Sequence, residues 1–221
     1  MNDIKAVIFD LDGVIVSTDE FHFLAWKQLA DAESIPFERH DNERLRGVSR
    51  MESLDILLEK ATRTYSESEK EKMAERKNSI YRELLKGLSP FDILPGVTDV
   101  LNGLKERGIK IAIGSSSKNA GPILVAIGLE GVFDAVVDGT HIARSKPDPE
   151  VFLLAGEKLG IAPLHCLVVE DADAGVEAGI AAGMPVLAVG SAMTNQGATI
   201  RARDLTHITP EEMLLTKPIG G

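Results

Sequence analysis

Asp10 and Asp12 stand two residues apart, just after the apolar run Ala6-Val7-Ile8-Phe9 and just before Gly13. Carboxylates at this spacing can attack an electrophile, exchange protons with a leaving group or bind a cation. A second acidic pair, Glu170-Asp171, follows another apolar run, Cys166-Leu167-Val168-Val169, with Asp173 and Gly175 just beyond. Between the two pairs lie Ser115-Ser116-Ser117-Lys118-Asn119 and Ser145-Lys146-Pro147-Asp148-Pro149. The serines offer hydroxyl donors, and the backbone N–H groups of a helix start, to a phosphate. Two prolines stiffen the chain around Lys146, so that the ammonium is held in place; a proline-rich helix start is the plainer alternative.

If these acids meet, the electrostatics restrict what they do. Two carboxylates about 4 Å apart repel by roughly 4 kcal/mol at an effective dielectric near 20, so four of them require a cation. Hard oxygen ligands suit Mg²⁺, and the expected ligand set is Asp10, Asp12, Glu170 and Asp171. The chemistry such a site supports is phosphoryl transfer. A carboxylate attacks phosphorus while the metal and Lys146 balance charge on the equatorial oxygens. Asp10, at the strand end, is the rational nucleophile. Asp12, not committed to the metal through its side chain, is the proton donor and acceptor. Ser115 and Lys146 complete the catalytic set.

Each of these groups must be carried to one place by an element. The run before Asp10 is short, continuous and β-branched, as in a strand buried on both faces. Strands are also predicted over 109–113, 134–137, 166–169 and 185–189, alternating with helices over 97–107, 119–127, 149–159 and 173–182. That alternation specifies an α/β fold, a Rossmann-like parallel sheet with helices on both faces. Parallel strands end on the same side, which brings the acids, the serines and Lys146 to one edge. A helix over 20–33, capped by Thr18 or Asp19, follows the first strand. From there to about residue 89 strand-like runs vanish and amphipathic helices take over, one bearing Leu54, Leu57, Leu58 and Ala61, another running from Ser66 to about Lys86. The division expected is a core of residues 1–17 and 90–221 with an inserted all-helical cap of residues 18–89.

Composition narrows the partners. At 221 residues, 44% apolar and 26% charged, the chain is an ordinary globular protein. A net charge of −10 argues against nucleic acid and against anionic membrane, but not against a phosphorylated small molecule met by local cations. The single cysteine, Cys166, lies in a predicted core strand and can form neither an intrachain disulfide nor a cysteine zinc site. No signal peptide and no membrane-length apolar run are present, so a cytoplasmic location is expected.

Asp10-x-Asp12-Gly13, Ser115, Lys146-Pro147 and Glu170-Asp171, in this order, resemble the haloacid-dehalogenase superfamily of aspartate-nucleophile phosphotransferases over the whole chain. The inserted cap matches the branch in which a helical cap opens and closes over the site, and Asp12 points to phosphate chemistry rather than dehalogenation. Three cap features then bear on the substrate. His22 and Trp26 form an i, i+4 pair, a spacing that packing residues also adopt. Arg46-Gly47-Val48-Ser49-Arg50 sets two arginines around a glycine turn, a phosphate clamp or else a solvated basic turn. Lys77, in Arg76-Lys77-Asn78, falls on an apolar stripe and either snorkels or points into a site.

These segments, with Ser115 to Asn119, are similar to those of the hexose-phosphate mutase branch of the superfamily. That resemblance implies an isomerase that works as a monomer on a sugar phosphate. A phosphoaspartate gives its phosphoryl group to β-glucose 1-phosphate, and the bisphosphate formed turns round and releases glucose 6-phosphate. It further implies that His22 orients Asp12, Arg50 grips the distal phosphate and Lys77 reaches the sugar hydroxyls. A sugar-phosphate phosphatase on the same scaffold is the nearest alternative, and an aspartate phosphoacceptor module for signalling a remote one. Arg46 stands where that branch usually has lysine, Ser17 where it has an acid, and Ala172 where it has a serine.

Overall fold

The computed structural model describes residues 3–45 and 48–215. Among these residues six strands form one sheet: β1 (Ala6–Phe9), β2 (Lys110–Gly114), β3 (Ala135–Val137), β4 (Cys166–Glu170), β5 (Val186–Ala188) and β6 (Ile200–Arg201). Their order is β3-β2-β1-β4-β5-β6 and every pairing is parallel. The chain winds outward from β1 in one direction, then returns to β4 on its other side. Ligands of open α/β sheets bind at such a reversal, outside the carboxyl ends of the strands. β6, only two residues long, has too little pattern to be read from sequence.

The strand residues are buried on both faces because each face is covered. Val7, Phe9, Ile111, Ile113, Leu167 and Val169 pack into one cluster with α5 (Val97–Glu106) and α6 (Ala120–Ala126). Their alternates Ala6, Ile8, Ala112, Cys166 and Val168 pack into another with α7 (Glu150–Leu159) and α8 (Asp173–Ala181). The period of two along each strand thus separates two apolar layers across one sheet. The Cys166 thiol, buried there, is pushed up to about 11 by burial and hydrogen-bonds to the Ala162 carbonyl at 3.6 Å.

Between β1 and α5 the described residues hold helices and no strand: α1 (Asp19–Ala32), α2 (Arg39–Asn42), α3 (Arg50–Leu58) and α4 (Glu67–Leu85). Capping boxes start α3 and α4, Ser49 with Glu52 and Ser66 with Glu69. Trp26, Leu29, Phe37, Leu54, Leu57 and Met73 form a third apolar cluster inside this cap. Ala25, Tyr81, Leu85 and Leu88 join the core cluster instead, so the base of the cap is packed onto the core. The outgoing and returning chains run side by side: Val16 pairs antiparallel with Ile93, and Leu94 N donates to Ile15 O at 3.0 Å. α9 (Pro210–Leu214), which has a Thr209–Glu212 capping box, follows the sheet; its Met213 is buried in the core cluster.

Candidate active site

Strand register sets the catalytic edge. Phe9 lies beside Ile113 on β2 and Val169 on β4, so one residue further on Asp10 is flanked by Gly114 and Glu170. Asp10 N donates to Val169 O at 2.9 Å, extending the ladder to the acid itself. Asp10, Glu170 and Asp171 each offer a carboxylate oxygen within 4.8 Å of the others. Lys146 is buried among them, its Nζ 2.5 Å from both Asp10 Oδ1 and Glu170 Oε1. Burial disfavours the ammonium, but the Asp10 and Glu170 charges override it and hold Lys146 above the ordinary lysine range. Burial pushes the Glu170 carboxyl up, against the pull of Lys146.

Two glycines make room for this. At Gly13, where φ is +87°, a Cβ would run into the Asp171 carboxylate; at Gly175 it would run into that of Glu170. Glu170 folds back over the start of α8, where its Oε2 accepts from Asp171 N at 2.9 Å and Ala172 N at 3.1 Å. Ala172, the N-cap residue, makes no side-chain cap bond; the glutamate satisfies the two backbone N–H groups just ahead of the helix instead.

Asp12 stands outside the three-carboxylate cluster. Its Oδ1 accepts a hydrogen bond from the Thr18 hydroxyl. Thr18 occupies the N-cap position of α1 but makes no side-chain cap bond, so the residue expected to start a helix instead holds an acid. Burial and the neighbouring Asp10 charge raise the Asp12 carboxyl to about 6, with the Thr18 bond, Lys146 and Lys77 pulling the other way. A carboxyl near 6 gives and takes protons readily around neutrality.

The serine loop follows β2. Ser115 Oγ accepts from Ser117 N at 3.1 Å, and Ser117 Oγ from Asn119 N at 3.2 Å. Both hydroxyls keep their protons available for donation. Ser116 Oγ is buried without a partner.

A cavity of about 1200 Å³ joins this edge to the cap. Asp10, Asp12, Ser115, Ser116, Ser117, Lys118, Asn119, Lys146 and Asp171 line it from the core; His22, Trp26, Val48, Ser49, Arg50, Lys77 and Asn78 line it from the cap. Glu170 lies behind the wall. Arg46 and Gly47, expected in the phosphate clamp, lie outside the described residues. Ser49 borders the cavity with its side chain engaged as the cap of α3, accepting from Glu52 N at 3.2 Å.

The cap end is cationic. Lys77 does not snorkel: it is buried, its Nζ 2.9 Å from His22 Nδ1, 4.8 Å from the Trp26 ring centre and 4.5 Å from that of Tyr81. Its pKa falls to about 7 through burial and Arg50, against the pull of Asp12. Burial, Lys77 and Arg50 drive His22 well below the ordinary histidine range; neutral, it can accept from the ammonium. The hydrogen-bond partner of His22 in this structure is Lys77; that His22 orients Asp12 is implied by the resemblance alone. Arg50 faces Glu75 at 3.7 Å. Across the cavity, Asn119 Nδ2 donates to Asn78 Oδ1 at 3.2 Å, a buried bond between core loop and cap helix. Sequence reasoning named both asparagines but gave no sign of their pairing, and it passed over Thr18 as a partner of Asp12, Tyr81 and Asn42.

A parallel sheet whose central strand ends in an aspartate pair beneath a helical cap defines a class of phosphate-handling enzymes, and the comparisons agree. The model of the haloacid dehalogenase-like hydrolases matches residues 4–183, and the chain belongs to that family. It is 46% identical over 209 residues to the β-phosphoglucomutase of Bacillus subtilis, covering 94% of this chain and 92% of that protein. It is 34% identical over 214 residues to a phosphorylated carbohydrates phosphatase of Thermotoga maritima, covering 95% and 96%. The crystal structure of β-phosphoglucomutase from Clostridium difficile superposes with a TM-score of 0.87 at 40% identity, covering 91% of this chain and 92% of that one. The residues present fit a metal ion: three carboxylates converge, and their hard oxygens suit a divalent cation.

Proposed function

We propose that this chain is a Mg²⁺-dependent β-phosphoglucomutase, interconverting β-D-glucose 1-phosphate and glucose 6-phosphate through β-glucose 1,6-bisphosphate. The observation that carries the reading is one cavity with acids and a lysine at its core end and Arg50, Lys77 and His22 at its cap end. A substrate with phosphate at both ends has a counterpart for each.

On this reading Asp10 carries the phosphoryl group as an acyl phosphate. The 6-hydroxyl of β-glucose 1-phosphate attacks phosphorus, the bond to the Asp10 oxygen breaks, and Asp12 takes the hydroxyl proton. The bisphosphate turns round. Asp10 then attacks the phosphorus at position 1, Asp12 returns the proton to the leaving sugar oxygen, and glucose 6-phosphate departs. Lys146 holds Asp10 in place and offsets charge throughout. Asp10, Glu170 and Asp171 would hold Mg²⁺, which neutralises phosphate charge when bound. Ser115, Ser117, Lys118 and Asn119 donate to phosphate oxygens, and Arg50 holds the distal phosphate, aided by the segment that includes Arg46 and Gly47.

We place the enzyme in the cytoplasm as a monomer whose cap, residues 18–89, closes on a core of 1–17 and 90–221 and excludes water from Asp10. Small-angle scattering should contract on addition of Mg²⁺, a metal fluoride and glucose 6-phosphate. An unchanged profile counts against closure.

The deciding assay follows β-glucose 1-phosphate with Mg²⁺ and a bisphosphate primer. Glucose 6-phosphate should form, and Asp10→Asn should lower the rate by roughly 10⁵-fold or more. The Thermotoga relative favours a second reading, a sugar-phosphate phosphatase in which water accepts the group. Inorganic phosphate as the sole product would establish that reading and remove the first.

A further inference from the structure

None of these steps uses Asn42. It is the last residue of α2, 6% exposed, and it lines the cavity on the cap side. Its Nδ2 donates to Asp19 Oδ1 at 3.1 Å. A carboxylate only accepts, so this bond fixes which end of the amide is which. The other end, Oδ1, has no hydrogen-bond partner. A buried acceptor left unmade costs about 1–3 kcal/mol, a cost that folded proteins seldom carry without a reason. Tyr81 Oη and Ser116 Oγ share that condition among the described residues. Tyr81 does not line the cavity, and Ser116 belongs to the phosphate loop. Asn42 is the one left without a role.

We propose that Asn42 is a specificity-determining residue whose Oδ1 accepts a hydrogen bond from a ring hydroxyl of the bound sugar. The inference rests on the sugar-phosphate reading above. An amide oxygen needs a donor; a phosphate dianion has none, whereas every free hydroxyl of a hexose can supply one. The Asp19 carboxylate behind the amide polarises it, strengthening the oxygen as an acceptor and disfavouring an anion in front of it. Leu45, Val48 and Ser53 line the same cap wall, so the bond forms in partly apolar surroundings and discriminates against a sugar unable to make it.

The test compares wild type, Asn42→Ala and Asn42→Leu on β-glucose 1-phosphate and its 2-, 3- and 4-deoxy analogues, with thermal midpoints measured alongside. Both variants should lose about tenfold in kcat/KM on the parent sugar, mainly through KM. On one deoxy analogue, already about tenfold poorer for wild type, they should lose nothing. An unaffected parent reaction overturns the inference, as does an equal loss across all analogues, which would mean that Asn42 only shapes the cap. If wild type releases only inorganic phosphate, the mutase reading fails while the same comparison, run on phosphate release, still decides Asn42. If wild type turns over no hexose phosphate, both fall.

Discussion

Lys146 and Lys77 face one cavity from opposite ends, 1% and 3% exposed, yet their pKa values move in opposite directions. Lys146 touches two carboxylates at 2.5 Å, and its charge is held firmly. Lys77 touches a histidine and two aromatic rings, and burial together with the Arg50 charge lowers its pKa to about 7. Burial is the same in kind, so the partner decides the sign. At the core end the lysine charge is already met by carboxylates, and the acids in excess of it leave room for a divalent cation. At the cap end Lys77 touches no carboxylate and Arg50 reaches Glu75 only at 3.7 Å, so on the proposed reading a phosphorylated sugar supplies the closer counter-charge.

The contrast is broken most severely at the core. Lys146→Ala leaves Asp10 and Glu170 buried without their cation, and loss of one member of a buried pair costs about 3–5 kcal/mol. Urea unfolding should show that loss together with a collapse of kcat. A variant of wild-type stability would mean that the carboxylates do not depend on Lys146. At the cap end the opposite balance is expected. Arg50→Ala should raise KM for β-glucose 1-phosphate by roughly 10–100-fold, the scale of a lost charge-assisted bond, with stability nearly unchanged. Equal damage to kcat and stability would erase the distinction between the ends.

The protonation of Lys77 sharpens the comparison. With a folded pKa of about 7, below the unfolded value, the folded chain has released a proton that the unfolded chain keeps between pH 7 and about 10.4. Stability contributed by this group therefore rises with pH across that window and is lost as pH falls through 7. Lys77→Met should flatten that slope in unfolding curves taken from pH 6.5 to 10. In calorimetry at pH 8, phosphate brought beside Lys77 should draw a proton from buffer, and a signal independent of buffer ionisation enthalpy would contradict this. The smallest effect belongs to the link between the ends. Asn78→Ala and Asn119→Ala should each cost about 1 kcal/mol, with a coupling of similar size in a double-mutant cycle. Full additivity would deny that the Asn78–Asn119 bond joins cap to core.

Much of this was legible in the chain itself. The apolar runs ending in Asp10, Ser115 and Glu170, and the helical stretch between the first two, carry local signals, because strand and helix periodicities and chain punctuation are read within a few residues. Parallel pairing then follows from alternation, and it brings distant acids to one edge without further information. The order of the motifs was enough to identify the superfamily, and the basic cap segments to suggest a sugar phosphate. What tertiary structure decided is who touches whom. Thr18 holds Asp12 instead of capping α1, His22 meets Lys77, Glu170 accepts from the backbone N–H groups of Asp171 and Ala172, and Asn42 is left with an unpaired oxygen. Each depends on a side chain's environment, assembled from residues far apart in sequence. Composition and spacing show which groups are present; only the folded packing sets their distances, their dielectric surroundings and hence their charge.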